Sequence, residues 1–169
     1  MNQHIESSDD LAKALASILI SKGWTIALAE SCTGGLVCAT LTHLAGSSDW
    51  FERGYITYSN EAKAECLGVP AEMIESFGAV SEQVAKAMAE GVQAQAGVNI
   101  GLSITGIAGP TGGSPEKPVG TVCFGWAIKD QSKAVGSATT KTMRFGGDRQ
   151  SVREQACCYA LSELITILN

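Results

Sequence analysis

Histidine, basic residues and long apolar runs are all scarce in this sequence. Only two histidines, His4 and His43, occur in 169 residues, so a histidine-based catalytic triad has few ways to form. The 12 Lys and Arg residues are outnumbered by 17 Asp and Glu residues, which leaves no basic field to hold a polynucleotide. No apolar run approaches the roughly 20 residues of a membrane helix. We therefore expect neither a nucleic-acid partner nor a membrane partner.

The cysteines and the first residues lack the patterns of metal binding and export. None of the six cysteines forms a C-x-x-C pair, and neither histidine lies at ligand spacing from a cysteine. The opening stretch, M-N-Q-H-I-E-S-S-D-D, does not have the basic and then apolar pattern of a secretory signal peptide. We expect free thiols, no metal, no cofactor and a cytoplasmic location.

The length and composition suit one domain over residues 1–169. Hydrophobic residues make up 45% of the chain, which gives a domain of this size a full core. Helical and strand periodicities alternate along the chain and are followed by two adjacent strand patterns. This order predicts an α/β fold, with a mixed β-sheet and helices on both faces.

Capping residues and glycines set the bounds of the predicted elements. Helices are predicted from the caps offered by Ser7, Ser8 and Asp9 to Gly23, from Thr33 to Gly46, over 61–67 with Asn60 as cap, over 70–77, from the cap Ser81 to about Ala96, and after the cap Asp148. Strands are predicted over 24–29, 51–58, 99–105, 119–128 and 134–145, and the last two are expected to pair as a hairpin around 129–133.

The stretch A-L-A-E-S-C-T-G-G-L-V, residues 27–37, predicts a turn from a strand into a helix. Such a turn either binds a phosphate or carries a nucleophile. The signature G-x-x-x-x-G-K-[ST] is absent, and G-x-G-x-x-G occurs neither here nor in the loop after Gly106. Backbone geometry alone explains the two glycines. Ser31, Cys32 and Thr33, however, lie at the positive end of the predicted helix, where a developing oxyanion is stabilised.

A serine nucleophile at this turn would need a base. The motif G-x-S-x-G is absent around Ser31, and a lysine is the remaining option. The S-x-x-K motif of Ser114 and Lys117 lies in a Pro-rich loop, and we interpret it as coincidence. Lys63 lies in the first turn of a predicted helix, whose positive end lowers the pKa of an ammonium group. A solvated surface lysine fits the same pattern.

Three further features fit either binding or plain structure. Tyr58 is a core aromatic or a hydroxyl at the rim of a site. The loop G-I-A-G-P-T-G-G, residues 106–113, offers backbone N–H groups to a phosphate or is only a long turn. Arg144 and Arg149 flank F-G-G-D and suit a phosphate clamp, although surface arginines are common. The residues alone leave these alternatives open.

Six motifs follow one another along nearly the whole chain. They are A-E-S-C-T-G-G, Y-S-N-E-A-K, G-A-V-S-E, S-I-T-G-I-A-G-P-T-G-G, K-P-V-G-T-V and F-G-G-D-R. Together they resemble the successive motifs of the CinA C-terminal domain family. Many CinA proteins also carry an N-terminal domain that resembles molybdopterin-binding proteins. This sequence does not contain it, so it looks like a stand-alone member, and we expect none of the pyrophosphatase activity associated with that domain.

The resemblance implies an amidase that converts nicotinamide mononucleotide into nicotinate mononucleotide and ammonia, as part of pyridine nucleotide recycling. It implies Ser31 as nucleophile, with Lys63 and Tyr58 as activating partners, and a homo-oligomer, which we take to be a dimer. The oxyanion would be held by the N–H groups of Thr33 and Gly34. The substrate-binding positions that follow from it are Cys32, Thr33, Gly34, Thr105, Gly106, Ala108, Arg144 and Arg149, with one of the two arginines taking the phosphate.

A lysine base has to be neutral in a useful fraction, which requires a pKa well below the ordinary value of about 10.4. The end of a helix contributes only about 0.3 to 1 kcal/mol, which lowers a pKa by less than one. Burial must supply the rest. The hypothesis therefore requires that Lys63 be shielded from solvent and lie within hydrogen-bond reach of Ser31.

Two other functions fit the same residues. The chain could be a non-catalytic nucleotide-binding or regulatory module, because a fold and its loops persist after an activity is lost. It could also be a cysteine hydrolase that uses Cys32, which would be inactivated by thiol alkylation. Neighbouring side chains at a tight turn point in different directions, so only Ser31 or Cys32 would face the substrate.

Overall fold

The computed structural model of the chain describes residues 7–129 and 136–169. None of the helices in these ranges is both long and apolar enough to cross a bilayer. His4, most of the predicted turn at 129–133 and the first two residues of the strand predicted over 134–145 lie outside the described residues.

Six α-helices and five β-strands make up the described part of the chain. The helices are α1 (Ser8–Lys22), α2 (Leu36–Thr42), α3 (Asn60–Leu67), α4 (Ala71–Phe77), α5 (Glu82–Ala96) and α6 (Arg149–Leu168). The strands are β1 (Ile26–Glu30), β2 (Phe51–Ile56), β3 (Ile100–Gly106), β4 (Thr121–Ile128) and β5 (Ser137–Arg144).

The predicted caps of three helices are confirmed. The side chains of Ser7, Ser81 and Asp148 each accept a hydrogen bond from a backbone N–H in the first turn of α1, α5 and α6. This pattern satisfies N–H groups that have no partner inside the helix.

Four predicted boundaries near the first strands are wrong. Helix α2 begins at Leu36 rather than Thr33. Gly34 and Gly35 have φ angles of 58° and 96°, and residues with positive φ cannot form part of a right-handed helix. It also ends at Thr42, short of Gly46. The cap of α3 is Ser59, whose hydroxyl accepts from Ala62 N at 3.0 Å, so Asn60 is already helical. Strand β2 ends at Ile56, which leaves Tyr58 in the following loop.

The five strands form one sheet in the order β2-β1-β3-β4-β5. Strand β1 pairs in parallel with β2 and β3, whereas β3 with β4 and β4 with β5 are antiparallel. Helices α1, α2 and α6 cover one face, and α3, α4 and α5 cover the other. The predicted α/β fold with a mixed sheet covered on both faces is confirmed, as is the antiparallel pairing of the last two strands.

Strand β1 serves both halves of the core, since its side chains alternate between the faces. Ile26 and Leu28 pack with α1, α2 and α6, and Ala27 and Ala29 pack with α3, α4 and α5. All four are fully buried. Burial on both faces makes β1 a rigid support for whatever follows its last residue, Glu30.

The carboxyl ends of β1 and β3 form a crevice. These two strands are parallel neighbours, with Glu30 opposite Ile104. After β1 the chain continues to β2, and after β3 it continues to β4, so the two connections run in opposite directions along the strand order. Such a switch point in an open α/β sheet is where ligands bind. The S-C-T-G-G turn and the loop after Gly106 both begin there.

Candidate active site

A cleft of about 250 Å³ opens at this edge of the sheet. It is lined by the segments that follow three parallel strands, together with the loop before α5 and the start of α6. Its lining residues are Ser31 and Cys32 after β1, Tyr58, Asn60 and Lys63 after β2, Ala79 and Val80, Thr105 and Gly106 at the end of β3, residues 107–109 with Thr111 and Gly112 after it, and Arg149.

A serine and a lysine meet at the floor of this cleft. Lys63 Nζ lies 3.2 Å from Ser31 Oγ, and the two residues are 1% and 7% exposed. The amine also donates to the carbonyl oxygen of Thr57 at 2.8 Å. No carboxylate forms an ion pair with Lys63 in the described part of the chain. Lys63 therefore has the burial and the distance that a lysine base for Ser31 requires.

Burial lowers the pKa of the Lys63 amine below its ordinary value, because an ammonium group loses its hydration inside the protein. The surrounding acceptors are neutral backbone carbonyls and the Ser31 hydroxyl. They solvate an ammonium less well than a carboxylate would. The lowered pKa favours the neutral amine, which is the form that accepts a proton from a hydroxyl.

The turn that carries Ser31 is held by Glu30, a residue for which the sequence predicted no role. The Glu30 side chain is 0% exposed. Its oxygens accept from the backbone N–H groups of Gly35 at 2.9 Å, Val37 at 3.3 Å and Cys38 at 2.7 Å. The signal in the sequence is an acidic residue at the end of an otherwise apolar strand, directly before small residues and glycines.

Two backbone N–H groups beside Ser31 remain available. The Gly34 N–H donates to the Ser31 carbonyl at 3.0 Å, so one of the two expected oxyanion donors is already engaged. The Ser31 N–H donates to Ile104. Within residues 7–129 and 136–169, the N–H groups of Cys32 and Thr33 have no hydrogen-bond partner. Cys32 lines the cleft, and its N–H replaces that of Gly34 as the candidate donor.

The thiol of Cys32 is poorly suited to nucleophilic attack. Burial raises its pKa to about 12, and the negative charge of Glu30 acts in the same direction. A thiol with this pKa is almost fully protonated at neutral pH, and the thiolate is the reactive form. The sulfur packs against Gly106, where an added Cβ would lie 3.0 Å from it. Cys32 thus contributes to the floor of the cleft.

Tyr58 and Arg149 lie at the mouth of the cleft. Tyr58 is 60% exposed, and its hydroxyl accepts from Arg149 Nη2 at 2.8 Å. Arg149 Nη1 donates to the carbonyl of Gly109 at 2.8 Å. The guanidinium thereby joins α6 to the loops after β2 and β3. The hydroxyl of Tyr58 has no hydrogen bond to Ser31 or Lys63 among the described residues.

The cleft brings together most of the predicted site residues, but not all of them. Arg144 is exposed at the end of β5 and does not line it. Thr33 and Gly34, within the turn, do not line it either, and Arg153 Nη2 donates to the Thr33 carbonyl at 2.9 Å. Arg153 was not predicted. The predicted residues that line the cleft are Ser31, Cys32, Tyr58, Lys63, Thr105, Gly106, Ala108 and Arg149.

The second serine-lysine motif does not form a pair of side chains. Lys117 Nζ donates to the carbonyl of Phe77 at 2.6 Å, and the Ser114 hydroxyl accepts from the Lys117 backbone N–H at 3.0 Å. The interpretation of this motif as coincidence is confirmed. Among the described residues, no group of three or more His, Cys, Asp and Glu side chains lies close enough to hold a metal ion.

Comparison with known proteins finds relatives that align with 90% or more of this chain. The nicotinamide-nucleotide amidohydrolase PncC of Enterobacter agglomerans is 51% identical over 152 residues, which cover 90% of this chain and 90% of that protein. The protein of the same name from Escherichia coli K12 is 50% identical over 154 residues and covers 91% and 90%. The CinA-like protein of Syntrophobacter fumaroxidans is 50% identical over 98% of this chain, but this is only 38% of that longer protein.

Solved structures and a family model agree with these relatives. The competence or damage-inducible protein from Enterobacter asburiae is 39% identical, with a TM-score of 0.91 over 97% of this chain and 99% of that one. The family model described as the CinA C-terminal domain matches residues 8–168. The chain belongs to the CinA C-terminal domain family.

Proposed function

We propose that this protein is an amidohydrolase that converts nicotinamide mononucleotide and water into nicotinate mononucleotide and ammonia. The observation that carries the proposal is the buried contact between Ser31 Oγ and Lys63 Nζ at the floor of a cleft. The two relatives named nicotinamide-nucleotide amidohydrolase support the substrate, since they match 90% or more of this chain.

In the first step Ser31 attacks the carboxamide carbon. The neutral amine of Lys63 accepts the Ser31 proton across the 3.2 Å contact as the Oγ–carbon bond forms. Negative charge then develops on the amide oxygen. The Cys32 N–H, from the residue after the nucleophile, is the free donor in the cleft lining that supports an oxyanion.

Lys63 also serves the remaining proton transfers. When the tetrahedral intermediate collapses, the carbon–nitrogen bond breaks, and the Lys63 ammonium returns its proton to the leaving nitrogen, which departs as ammonia. The nicotinoyl group is then an ester of Ser31. Water attacks this ester with Lys63 as base, the bond between Ser31 Oγ and the acyl carbon breaks, and the Lys63 ammonium returns the proton to Ser31 as nicotinate mononucleotide leaves. The described lining of the cleft contains no carboxylate or imidazole to share this work.

Arg149 is the group in the cleft that suits the substrate phosphate. A guanidinium has five N–H donors and matches phosphate oxygens in a bidentate fashion. Two of its nitrogens each make one protein contact, which leaves donors for a ligand. Arg144 lies outside the cleft. We assign the phosphate to Arg149, with Tyr58 holding its guanidinium at the mouth.

We also infer that residues 1–169 act as one domain, and that the enzyme works in the cytoplasm as a homodimer. These inferences extend the expectations from composition and family resemblance.

The decisive experiment measures ammonia and nicotinate mononucleotide released from nicotinamide mononucleotide, with free nicotinamide and NAD as alternative substrates. We expect equal amounts of the two products from the mononucleotide. The Ser31→Ala variant should release neither, whereas Ser114→Ala, the same change in the unpaired motif, should match the wild type. Binding of the mononucleotide with no ammonia release by the wild type would overturn the proposal in favour of a non-catalytic nucleotide-binding module.

A further inference from the structure

A carboxylate is buried directly behind the proposed nucleophile. Glu30 is the residue before Ser31, and the structure gives it no ion pair within the described ranges. Its charge is instead stabilised by the three backbone N–H groups of Gly35, Val37 and Cys38. A buried charge is unfavourable unless hydrogen bonds replace its hydration. Glu30 meets that condition through the first turn of α2.

The arrangement differs from an ordinary helix cap. The N-cap residue of α2 is Gly35, which has no side chain to accept a hydrogen bond. Ser, Asp or Asn at that position would satisfy one N–H group. Glu30 does so from the preceding strand, across the intervening turn. The two ends of the S-C-T-G-G turn are therefore tied together by one side chain.

The other contacts of Glu30 and Ser31 reach the base. The Glu30 carbonyl accepts from Thr57 N at 2.8 Å, and the Thr57 carbonyl accepts from Lys63 Nζ at 2.8 Å. The Ser31 N–H is held by Ile104 of β3 at 2.9 Å. Strand β1 thus fixes the backbone before the nucleophile and the carbonyl beside the base. The Glu30 side chain holds the turn after Ser31, together with the hydrogen bond from Arg153 Nη2 to the Thr33 carbonyl.

We propose that Glu30 is a positioning residue for amide hydrolysis, whose carboxylate holds the turn after Ser31 so that the Ser31 hydroxyl and the Cys32 N–H keep their places at the cleft. This inference rests on the proposed amidase function. It assigns the N-terminal end of α2 to an internal carboxylate, so these N–H groups do not bind a substrate anion. The free donor for the oxyanion is the Cys32 N–H of the turn itself.

The test compares Glu30→Gln with the wild type. Glutamine has nearly the same shape, but one carboxylate oxygen becomes an NH₂ group, which cannot accept a hydrogen bond. At least one N–H group of α2 then faces a donor, and the turn must shift. A displacement of about 1 Å at a reacting group costs about 100-fold in rate. We expect kcat on nicotinamide mononucleotide to fall by about this factor, with KM changed by less than about threefold.

Two further variants separate positioning from stability. Ser7→Ala removes the side-chain acceptor of Asp10 N at the start of α1, so it is a matched loss of a helix cap outside the cleft, and it should lower Tm without changing kcat. Glu30→Asp retains an acceptor-only carboxylate on a shorter stem and should give a kcat between those of wild type and Glu30→Gln.

The results of these experiments separate the positioning role of Glu30 from the amidase function. A Glu30→Gln enzyme with lower Tm but wild-type kcat, like Ser7→Ala, would overturn the positioning role and leave Glu30 a structural cap. Recovery of both Glu30 variants only as unfolded chains would overturn it as well, because no effect on turnover would be separable from folding. Absence of ammonia release by the wild type would instead remove the amidase function on which the inference rests.

Discussion

Lys63 Nζ lies 3.2 Å from Ser31 Oγ, and neither side chain has appreciable contact with solvent. The other polar neighbours of the Lys63 amine are backbone carbonyls rather than carboxylates. A permanently charged lysine would be poorly compensated there. The geometry suits an amine that exchanges one proton with the adjacent hydroxyl.

Exchange of Ser31 and Cys32 for alanine should give opposite results. Ser31→Ala removes one hydroxyl and should abolish ammonia release while leaving folding and mononucleotide binding largely intact. Cys32→Ala should retain substantial activity, because a thiol whose pKa is raised to about 12 is not the attacking group. Turnover and substrate affinity of both variants should be measured together. The reverse pattern, with an active Ser31→Ala, would identify a cysteine hydrolase.

The features of the fold that depend on residues close together in the sequence are the ones that could be predicted from it. Ser7, Ser81 and Asp148 each accept from the N–H group of a residue three positions away, and a local pattern records this. The Ser31 and Lys63 contact spans 32 positions. It arises because β1 and β2 are parallel neighbours, and only the family resemblance anticipated it.

The parts of the site that were missed depend on the direction of the chain after a turn. Glu30 reaches N–H groups five to eight residues later, which requires the positive φ angles of Gly34 and Gly35. Arg144 and Arg149 flank the same F-G-G-D segment and look equivalent in the sequence. The geometry separates them, because one ends an edge strand and the other begins α6 beside the cleft.

Arg149 and Arg144 form a matched pair for testing phosphate recognition. Arg149→Gln should raise KM for nicotinamide mononucleotide by about 10-fold or more, since a hydrogen bond to a charged group contributes about 1.5 to 3 kcal/mol. Arg144→Gln removes the same charge outside the cleft and should behave as wild type. Steady-state kinetics with the mononucleotide and with the phosphate-free nucleoside provide the comparison.

The outcome with the nucleoside identifies the cause. Loss of a phosphate contact should leave the kinetics of the nucleoside nearly unchanged in Arg149→Gln. An equal loss with both substrates would show that Arg149 acts by holding the loops through Gly109 and Tyr58, and the phosphate assignment would be abandoned.

Metal removal should not affect turnover. The sequence shows no ligand spacing, and the described residues form no cluster of His, Cys, Asp and Glu side chains suited to a metal. Prolonged dialysis against EDTA should therefore leave ammonia release at the rate of an untreated sample. Loss of activity that a divalent cation restores would contradict this prediction and require a metal-assisted step.

Replacement of Lys63 by arginine should be as harmful as its replacement by alanine. A guanidinium keeps the positive charge but does not accept a proton at ordinary pH. In the wild type the neutral amine is the active form, so activity should rise with pH as Lys63 loses its proton. The midpoint should lie below the ordinary lysine value of 10.5, since burial lowers the pKa. Near-normal turnover by Lys63→Arg would exclude Lys63 as the base and favour Tyr58 or a bound water.

The lowered pKa of Lys63 also predicts how the stability of the protein depends on pH. Between the folded pKa of Lys63 and the ordinary value of 10.5, the unfolded chain binds more protons than the folded one, so the free energy of unfolding rises with pH in this window. Below the folded pKa the cost of the buried ammonium is constant, and above 10.5 it has disappeared.

Urea unfolding of the wild type and of Lys63→Met, measured across this range, isolates the contribution of Lys63, because all other groups titrate in both proteins. The wild type should gain stability relative to Lys63→Met as pH rises through this window, because burial lowers the pKa of Lys63 in the folded chain. Lys13→Met, which removes an exposed lysine of α1, should follow the wild type. Parallel curves for wild type and Lys63→Met would mean that Lys63 has the same affinity for its proton in the folded and unfolded chains, and it would then be too weakly perturbed to act as the base for Ser31.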